Sequence, residues 1–180
     1  MASETTLRQG QAGSSWDPVF VAAAAVAVIA AATIAGAWFF ELVLDIRPCP
    51  LCLEQRYAYY FAIPLAVLIA LGASRGLSRS LLGGGLAILG LALVANAVLG
   101  GYHAGVEWGF WQGPTDCTGP ITDFGNTGNL LDGLNKVKVI RCDEVQWRFL
   151  GLSLAGYNVL ISLALALLAL WGVIKSRQPA

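Results

Sequence analysis

The residues best suited to chemistry are four cysteines, the full number in a chain of 180 residues. Cys49 and Cys52 form a Cys-Pro-Leu-Cys motif, and Cys117 and Cys142 lie further along the chain. An even number of cysteines in an oxidising compartment indicates two disulfides. Because a disulfide across a two-residue spacer closes almost no loop, it is a poor structural staple. The motif therefore predicts a redox-active pair that opens and closes repeatedly.

The motif is followed by a helix signal that places a cation near it. Pro50 favours a helix whose N-cap is Cys49, and the helix dipole and unpaired N–H groups stabilise a thiolate there. Arg56 shares the helix face of Cys49 and Cys52, because the spacings are three and four residues. It can stabilise the thiolate or donate to an oxygen of a ligand at the lipid boundary. The alternative is an arginine that snorkels at the end of a membrane span, but its place after the motif favours a role in the site.

The second cysteine pair leaves two interpretations open. A disulfide between Cys117 and Cys142 would close a loop for which chain entropy gives roughly 3–4 kcal/mol, as a structural staple would. A reactive pair elsewhere in the chain favours exchange between the two pairs instead. Structural zinc sites usually take two ligands from each of two close pairs. Only Cys49 and Cys52 are close in sequence, so we expect no metal.

Polar residues within apolar stretches supply the remaining candidates. His103 is the sole histidine, and it follows the third apolar stretch, so it is a candidate proton donor or acceptor or a structural residue with satisfied hydrogen bonds. Asn96 and Asn158 lie inside apolar stretches, where polar side chains commonly hydrogen-bond between helices. We expect no chemistry from these two asparagines.

The elements that position these residues follow from composition. Apolar residues make up 57% of the chain and charged residues 12%, with a net charge of zero and a mean hydropathy of +0.66. This composition excludes an ordinary soluble enzyme, a disordered chain and a nucleic-acid binder with a basic face. Four windows contain no Asp, Glu, Lys or Arg: 18–40, 57–74, 80–106 and 149–174.

These windows predict an all-α fold, an integral membrane four-helix bundle formed by residues 1–180 as one domain. A helix needs about 20 apolar residues to cross the hydrocarbon core. The predicted spans are about 19–40, 50–73, 81–102 and 149–174, with outer loops at about 41–49 and 103–148. The cysteines lie in these loops or, for Cys52, at the outer end of the second span. The first span is too long for the apolar region of a signal peptide, so we expect it to be retained. Apolar positions in 130–137 also predict a short helix, either covering the loop or lying on the membrane.

The short, basic segments orient the bundle. Arg75 and Arg79 lie in the short second-to-third turn, and Lys175 and Arg177 lie in the tail, with no acid beside them. Short positively charged loops usually remain on the cytoplasmic side. Both termini are therefore predicted to be cytoplasmic, and both cysteine-bearing loops to face outward.

This ordered set of features resembles the DsbB family of bacterial inner-membrane, disulfide-generating oxidases. The resemblance covers nearly the whole chain, from residue 19 to residue 174. It rests on the four spans, the first cysteine motif followed by Arg56, the cysteine pair of the second outer loop and Tyr102-His103. The segments Gln146-Trp147 and 149–152 (Phe-Leu-Gly-Leu) are similar to the family too.

The resemblance implies an electron path through both cysteine pairs. A reduced periplasmic thioredoxin-like protein of the DsbA type would deliver two electrons. Cys117 would form the mixed disulfide with this partner, and Cys142 would exchange with Cys49. The protein would then be a protein-disulfide oxidoreductase of the inner membrane, with its redox cysteines facing the periplasm.

The resemblance also implies a quinone, either ubiquinone or menaquinone, drawn from the membrane pool. Cys52 matches the thiolate that contacts the quinone, Arg56 matches an arginine that supports it, and His103 occupies a place near its headgroup. Gln55 stands directly before Arg56, so a role for an acid at that place does not carry over.

Three alternatives predict different behaviour. A relative of vitamin K epoxide reductase would also link thiols to a quinone, but its loop cysteine pair precedes the Cys-x-x-Cys motif, whereas here it follows. A membrane scaffold stapled by two disulfides would have unreactive disulfides and no need for Arg56. A transporter would need several polar or charged residues deep in its spans, and these spans have almost none.

Overall fold

The computed structural model describes residues 17–114 and 141–178. Its elements in chain order are α1 (Pro18–Leu42), α2 (Pro50–Ser74), α3 (Arg79–Glu107), β1 (Arg148–Phe149), β2 (Leu152–Ser153) and α4 (Leu154–Ser176). Each of the four helices is long and apolar enough to cross a membrane. The predicted helical membrane bundle is confirmed. Cys117 and the helix predicted within 130–137 lie outside the described residues.

The starts of the first two helices have local causes. The Asp17 carboxylate accepts a hydrogen bond from the Val19 N–H at 2.8 Å, which caps α1 ahead of its first residue. Cys49 is the N-cap of α2, as the position of Pro50 predicts, and its sulfur accepts from the Cys52 N–H at 3.3 Å. The cysteine motif is thus built directly into the beginning of a membrane helix.

Two helices differ at one end from the predicted spans. The third helix does not end near 102 but continues to Glu107, and Gly109 follows it with a φ of +73°. The fourth helix begins at Leu154 rather than near 149, because β1 and β2 pair as an antiparallel hairpin. Leu150 and Gly151 turn this hairpin with φ values of +49° and +83°, a conformation that an α-helix cannot include.

The bundle packs most extensively between α3 and α4 and between α1 and α2. Leu86, Leu89 and Leu165 are completely buried, whereas residues such as Leu91 on the outer faces are exposed for contact with lipid. At Gly172 a Cβ atom would lie 2.8 Å from Ala22 Cβ, which cannot rotate away, so glycine permits this close approach of α4 to α1. Small residues and leucines therefore set the distances between the helices, as is common in membranes.

The two ends of the bundle differ. At one end, an ion pair of 2.9 Å between Arg79 and Asp17 joins the beginnings of α3 and α1. The other end, called here the cysteine end, contains the C-termini of α1 and α3 and the N-termini of α2 and α4. Cys49, His103 and the segment 141–147 meet there. Antiparallel neighbours thus bring residues distant in sequence to one place.

Candidate active site

Cys49 and Cys52 are free thiols whose sulfur atoms lie 3.0 Å apart. Cys49 is buried, with 3% of its surface exposed. The hydrogen bond from the Cys52 thiol lowers the pKa of Cys49 from 9.0 to about 5; burial opposes this shift and His103 adds to it. Cys49 is therefore a thiolate at neutral pH, the form in which cysteine acts as a nucleophile.

His103 lies beside the Cys49 sulfur. Its Nε2 atom is 3.6 Å from Cys49 Sγ, and its Nδ1 atom is 2.9 Å from the amide nitrogen of Gln55. An amide nitrogen only donates, so Nδ1 accepts and the proton of the neutral ring lies on Nε2, facing the sulfur. The sequence offered His103 as a candidate proton donor or acceptor, or as a structural residue, but did not identify Gln55 as the group that orients it.

Glu107 adds a carboxylate that the sequence analysis missed. Its Oε1 atom lies 3.9 Å from His103 Nε2, and its side chain is 6% exposed. The Ser153 hydroxyl donates to Glu107 Oε2 and also accepts from the Gly156 N–H to cap α4. Glu107 was assigned to a loop because the third span was predicted to end near 102. The spacing of four residues from His103 would have identified it in a longer helix.

Arg56 forms an ion pair with Glu41 at 2.6 Å. The arginine side chain is 13% exposed and the glutamate side chain 33% exposed. The pair therefore lies at the edge of the bundle, with the arginine as the more buried partner. The predicted position of Arg56 one turn beyond Cys52 agrees with helix α2. Glu41, at the end of α1, was not predicted as its partner because the contact joins two helices.

A cavity of about 420 Å³ connects these groups. Cys49, Cys52, Arg56, His103 and Glu107 all contribute to its wall. The remainder is largely apolar or aromatic, and includes Ile34, Phe40, Trp147, Leu154, Tyr157 and Ile161. A cavity of this size with apolar walls and a few polar groups at one side suits a small amphipathic ligand.

Cys142 lies against the first cysteine pair. It is disulfide-bonded, 1% exposed, and packed in one buried cluster with Cys49, Leu51 and Val106. One cysteine from each predicted pair thus occupies the same cluster. Cys117 lies outside the described residues, so its predicted role stays a prediction.

The site offers donor atoms for a soft metal as well as for thiol chemistry. The ligating atoms of Cys49, Cys52 and His103 all lie within 4.8 Å of one another. However, the amide of Gln55 donates to His103 Nδ1, which leaves the proton on Nε2, the nitrogen that faces the thiols. A protonated nitrogen cannot ligate a metal, so the hydrogen bonding favours thiol chemistry.

Below the site, polar side chains link three helices. Asn158 Nδ2 donates to Gln55 Oε1 at 2.6 Å, and the Tyr59 hydroxyl donates to Asn158 Oδ1 at 2.6 Å. Asn96 Nδ2 also donates to Asn158 Oδ1 at 3.3 Å and to Ser162 Oγ at 3.0 Å. The predicted interhelical hydrogen bonding of the two asparagines is confirmed, but its connection to His103 was not predicted.

Comparison with known proteins identifies a family to which the chain is similar. The sequence model of the family described as Disulfide bond formation protein DsbB matches residues 20–172. Disulfide bond formation protein B of Marinobacter nauticus is 30% identical over 86% of this chain and 91% of its own length. The protein of that name from Xanthomonas campestris pv. campestris is 34% identical over 83% of this chain and 87% of its own length. No solved structure matches the chain.

The family match includes nearly all of the four helices and every residue that lines the cavity. With the redox-type thiol pair at the beginning of α2, it establishes a multi-pass membrane protein of disulfide bond formation. The chain belongs to the DsbB family of disulfide bond formation proteins.

Proposed function

We propose that this protein reoxidises a periplasmic thioredoxin-like dithiol protein of the DsbA type and passes the electrons to a membrane quinone. It would act in the bacterial inner membrane, with both termini in the cytoplasm and the cysteine end facing the periplasm. The observation that carries the proposal is the burial of Cys142 against Cys49, beside a cavity that Cys49, Cys52 and Arg56 line.

The first half of the reaction is thiol–disulfide exchange. A thiolate of the reduced partner attacks the Cys117–Cys142 disulfide, and the second partner thiol resolves the mixed disulfide at Cys117. The partner leaves oxidised, and Cys117 and Cys142 have gained two electrons and two protons. Exchange proceeds through a thiolate that attacks a disulfide sulfur, so the second pair must be accessible to the partner.

The second exchange joins the two pairs. The Cys142 thiolate attacks Cys49 of the oxidised first pair, and Cys52 departs as a thiolate. Cys117 then attacks Cys142, which re-forms the second disulfide and releases Cys49. The low pKa of Cys49 makes it a good leaving group. The shared buried cluster of Cys49 and Cys142 supports this direct transfer.

The cavity fits a quinone by its size and by the chemistry of its wall. The apolar and aromatic side chains would hold a planar ring, while the Arg56 guanidinium can donate hydrogen bonds to a carbonyl oxygen. When bound, a quinone would accept the two electrons that oxidation of the Cys49–Cys52 pair releases, together with one proton from the Cys52 thiol and a second proton from the proton-handling groups of the site, because Cys49 is already ionised. Cys52 and Arg56 both contribute to this wall, which supports their assignment to the electron-transfer side of the site.

Proton handling falls to His103 and Glu107. The Nε2–H group of His103 points toward the Cys49 sulfur, where it stabilises the thiolate. Glu107 lies close to the same nitrogen and to the cavity, so it can hold a proton during oxidation of the dithiol. The Ser153 hydroxyl fixes the carboxylate in this position.

The test uses the full-length protein in lipid, a reduced DsbA-type protein and a soluble quinone analogue. Oxidation of the partner and reduction of the quinone are followed together, and the proposal expects equal amounts of the two products. Cys52→Ser should abolish quinone reduction, whereas Ser176→Ala, at the opposite end of α4, serves as the control. Partner oxidation without quinone reduction, or equal turnover in Cys52→Ser, would contradict the proposal.

A further inference from the structure

The geometry points to Asn158 as a positioning residue that, through Gln55, keeps the proton of His103 on Nε2 and therefore directed at Cys49. This inference deepens the proposed function, because it concerns the thiolate on which the second exchange depends. Asn158 is 9% exposed, belongs to α4, and does not itself contact His103 or the cysteines in any hydrogen bond found among the described residues.

The chain of hydrogen bonds has a defined direction. Three donors converge on Asn158 Oδ1: the Tyr59 hydroxyl at 2.6 Å, Asn96 Nδ2 at 3.3 Å and the Ser162 hydroxyl at 3.5 Å. Because Asn158 Oδ1 faces these three donors, the amide nitrogen of Asn158 faces the other way. That nitrogen donates to Gln55 Oε1 at 2.6 Å.

The same order of donor and acceptor continues through Gln55 to the imidazole of His103. Since Gln55 Oε1 accepts from Asn158, its amide nitrogen is the atom that meets His103 Nδ1 at 2.9 Å. Nδ1 must then accept, and a neutral imidazole carries its single proton on the other nitrogen. The Nε2–H group faces Cys49 Sγ at 3.6 Å, where it can donate to a thiolate.

Gly100 on α3 leaves room for the Asn158 amide. A Cβ atom added at Gly100 would lie 2.9 Å from Asn158 Nδ2. Glycine on α3 therefore leaves the space that the asparagine needs to reach Gln55. Buried polar networks are stabilising only when their members are paired, and within the bundle no water replaces a lost partner.

The alternative orientation makes a different prediction. If Asn158 and Gln55 were both reversed, Gln55 Oε1 would meet His103 Nδ1, which would then carry the proton. Nε2 would face Cys49 as a bare acceptor and would not stabilise a thiolate. The two orientations are thus distinguished by which ring nitrogen is protonated.

The experiment is ¹⁵N NMR of the imidazole ring in full-length, reduced protein labelled with ¹⁵N-histidine. The chain contains one histidine, so the ring signals need no assignment by mutation. The ring is titrated until it is neutral, and in that form we expect a protonated Nε2 and an unprotonated Nδ1. A wild-type ring protonated at Nδ1 would overturn the inference without any variant.

The decisive variant is Asn158→Leu, which keeps the branching at Cγ and suits a membrane helix. It removes the donor to Gln55, so the ring should populate both tautomers instead of one. Gln55→Leu breaks the chain at its other link and should give the same change. The matched control is Asn96→Leu, a substitution of the same type in the same network, because the Tyr59 hydroxyl still holds Asn158 Oδ1.

A single Nε2–H tautomer in Asn158→Leu would overturn the inference, as would a mixture in Asn96→Leu. A merely structural role for Asn158 would alter the stability of the bundle but not the tautomer. The measurement needs neither quinone nor partner protein. Its failure is therefore distinguishable from failure of the proposed electron path, which the turnover assay tests.

Discussion

The two halves of this bundle use the same four helices for different purposes. Toward the Asp17–Arg79 end, the buried faces consist mostly of leucine and alanine, with Leu86 and Leu89 completely buried. Toward the cysteine end, the same helix faces bury Gln55, Asn158 and His103. Among the described residues, the buried polar side chains lie mainly in the cysteine half, and Ser176 is an exception at the opposite end.

This contrast indicates where specificity resides in the bundle. Apolar side chains in the bundle gain little from leaving lipid, so their contribution is close packing. Buried polar groups need defined partners, and each partner restricts the orientation of the next. We therefore expect substitutions in the leucine half to change stability and substitutions in the cysteine half to change chemistry.

The largest effect is expected from Cys52→Ala, measured on Cys49 in fully reduced protein. The Cys52 hydrogen bond is the main cause of the low Cys49 pKa, so its loss should move that pKa back toward 9.0. If the pKa reaches about 8, the ratio of alkylation rates at pH 6 and pH 9 falls by about a hundredfold. Site-resolved mass spectrometry measures these rates. Leu53→Ala on the neighbouring, exposed position is the control, and an unchanged ratio in Cys52→Ala would contradict the assignment.

The same low pKa links stability to pH in the reduced wild-type protein. Since the folded-state pKa lies below the unfolded value, the thiolate stabilises the fold fully above about pH 9. This contribution is lost as the pH falls toward 5, the folded-state pKa. The free energy of unfolding of the reduced protein should thus increase from pH 5 to pH 9 more than that of Cys49→Ala.

The next effect belongs to the leucine half. Leu89→Ala should lower the free energy of unfolding by about 2 kcal/mol, because it leaves a cavity among packed helices. Leu91→Ala, two residues away and 70% exposed, is the matched control and should change it little. Unfolding in mixed detergent micelles measures both. If Leu89→Ala also shifted the pH dependence of Cys49 alkylation, a substitution in the leucine half would alter chemistry as well as stability. That result would contradict the expected difference between the two halves.

A smaller effect is expected when the charge near the cavity is removed. Arg56→Gln should raise the KM for quinone about tenfold, because a hydrogen bond from a charged group contributes about 1.5 kcal/mol. Arg75→Gln makes the same change at the other end of α2 and should leave the KM unchanged. Steady-state kinetics at saturating partner concentration measure both variants. An equal KM in both would exclude Arg56 from quinone binding.

The smallest effect is expected from Glu41→Gln. The change keeps an acceptor for Arg56 but removes the charge that neutralises it, and such partly exposed ion pairs contribute no more than about 1 kcal/mol. We expect the KM for quinone to fall by up to about threefold. A clear rise in KM would mean instead that Glu41 is needed to hold Arg56 in place.

The structural features that depend on residues close together in the sequence were predicted. Composition predicted the helices, and Pro50 predicted that Cys49 would cap α2, because both signals are local. The Glu41–Arg56 pair and the link from Asn158 through Gln55 to His103 were not predicted. These contacts join different helices, and their partners depend on helix rotation and register, which composition does not specify. The hairpin before α4 was missed because its apolar residues resemble the beginning of a span.

The cap of α2 has an electrochemical consequence. The Cys49 sulfur accepts the Cys52 N–H as an anion, and an uncharged disulfide sulfur accepts such a bond only weakly. An N-cap contributes about 1 kcal/mol, which corresponds to about 20 mV in a two-electron couple. The helix therefore favours the dithiol over the disulfide and raises the reduction potential of the first pair. The beginning of a membrane helix thus helps to make this disulfide an oxidant.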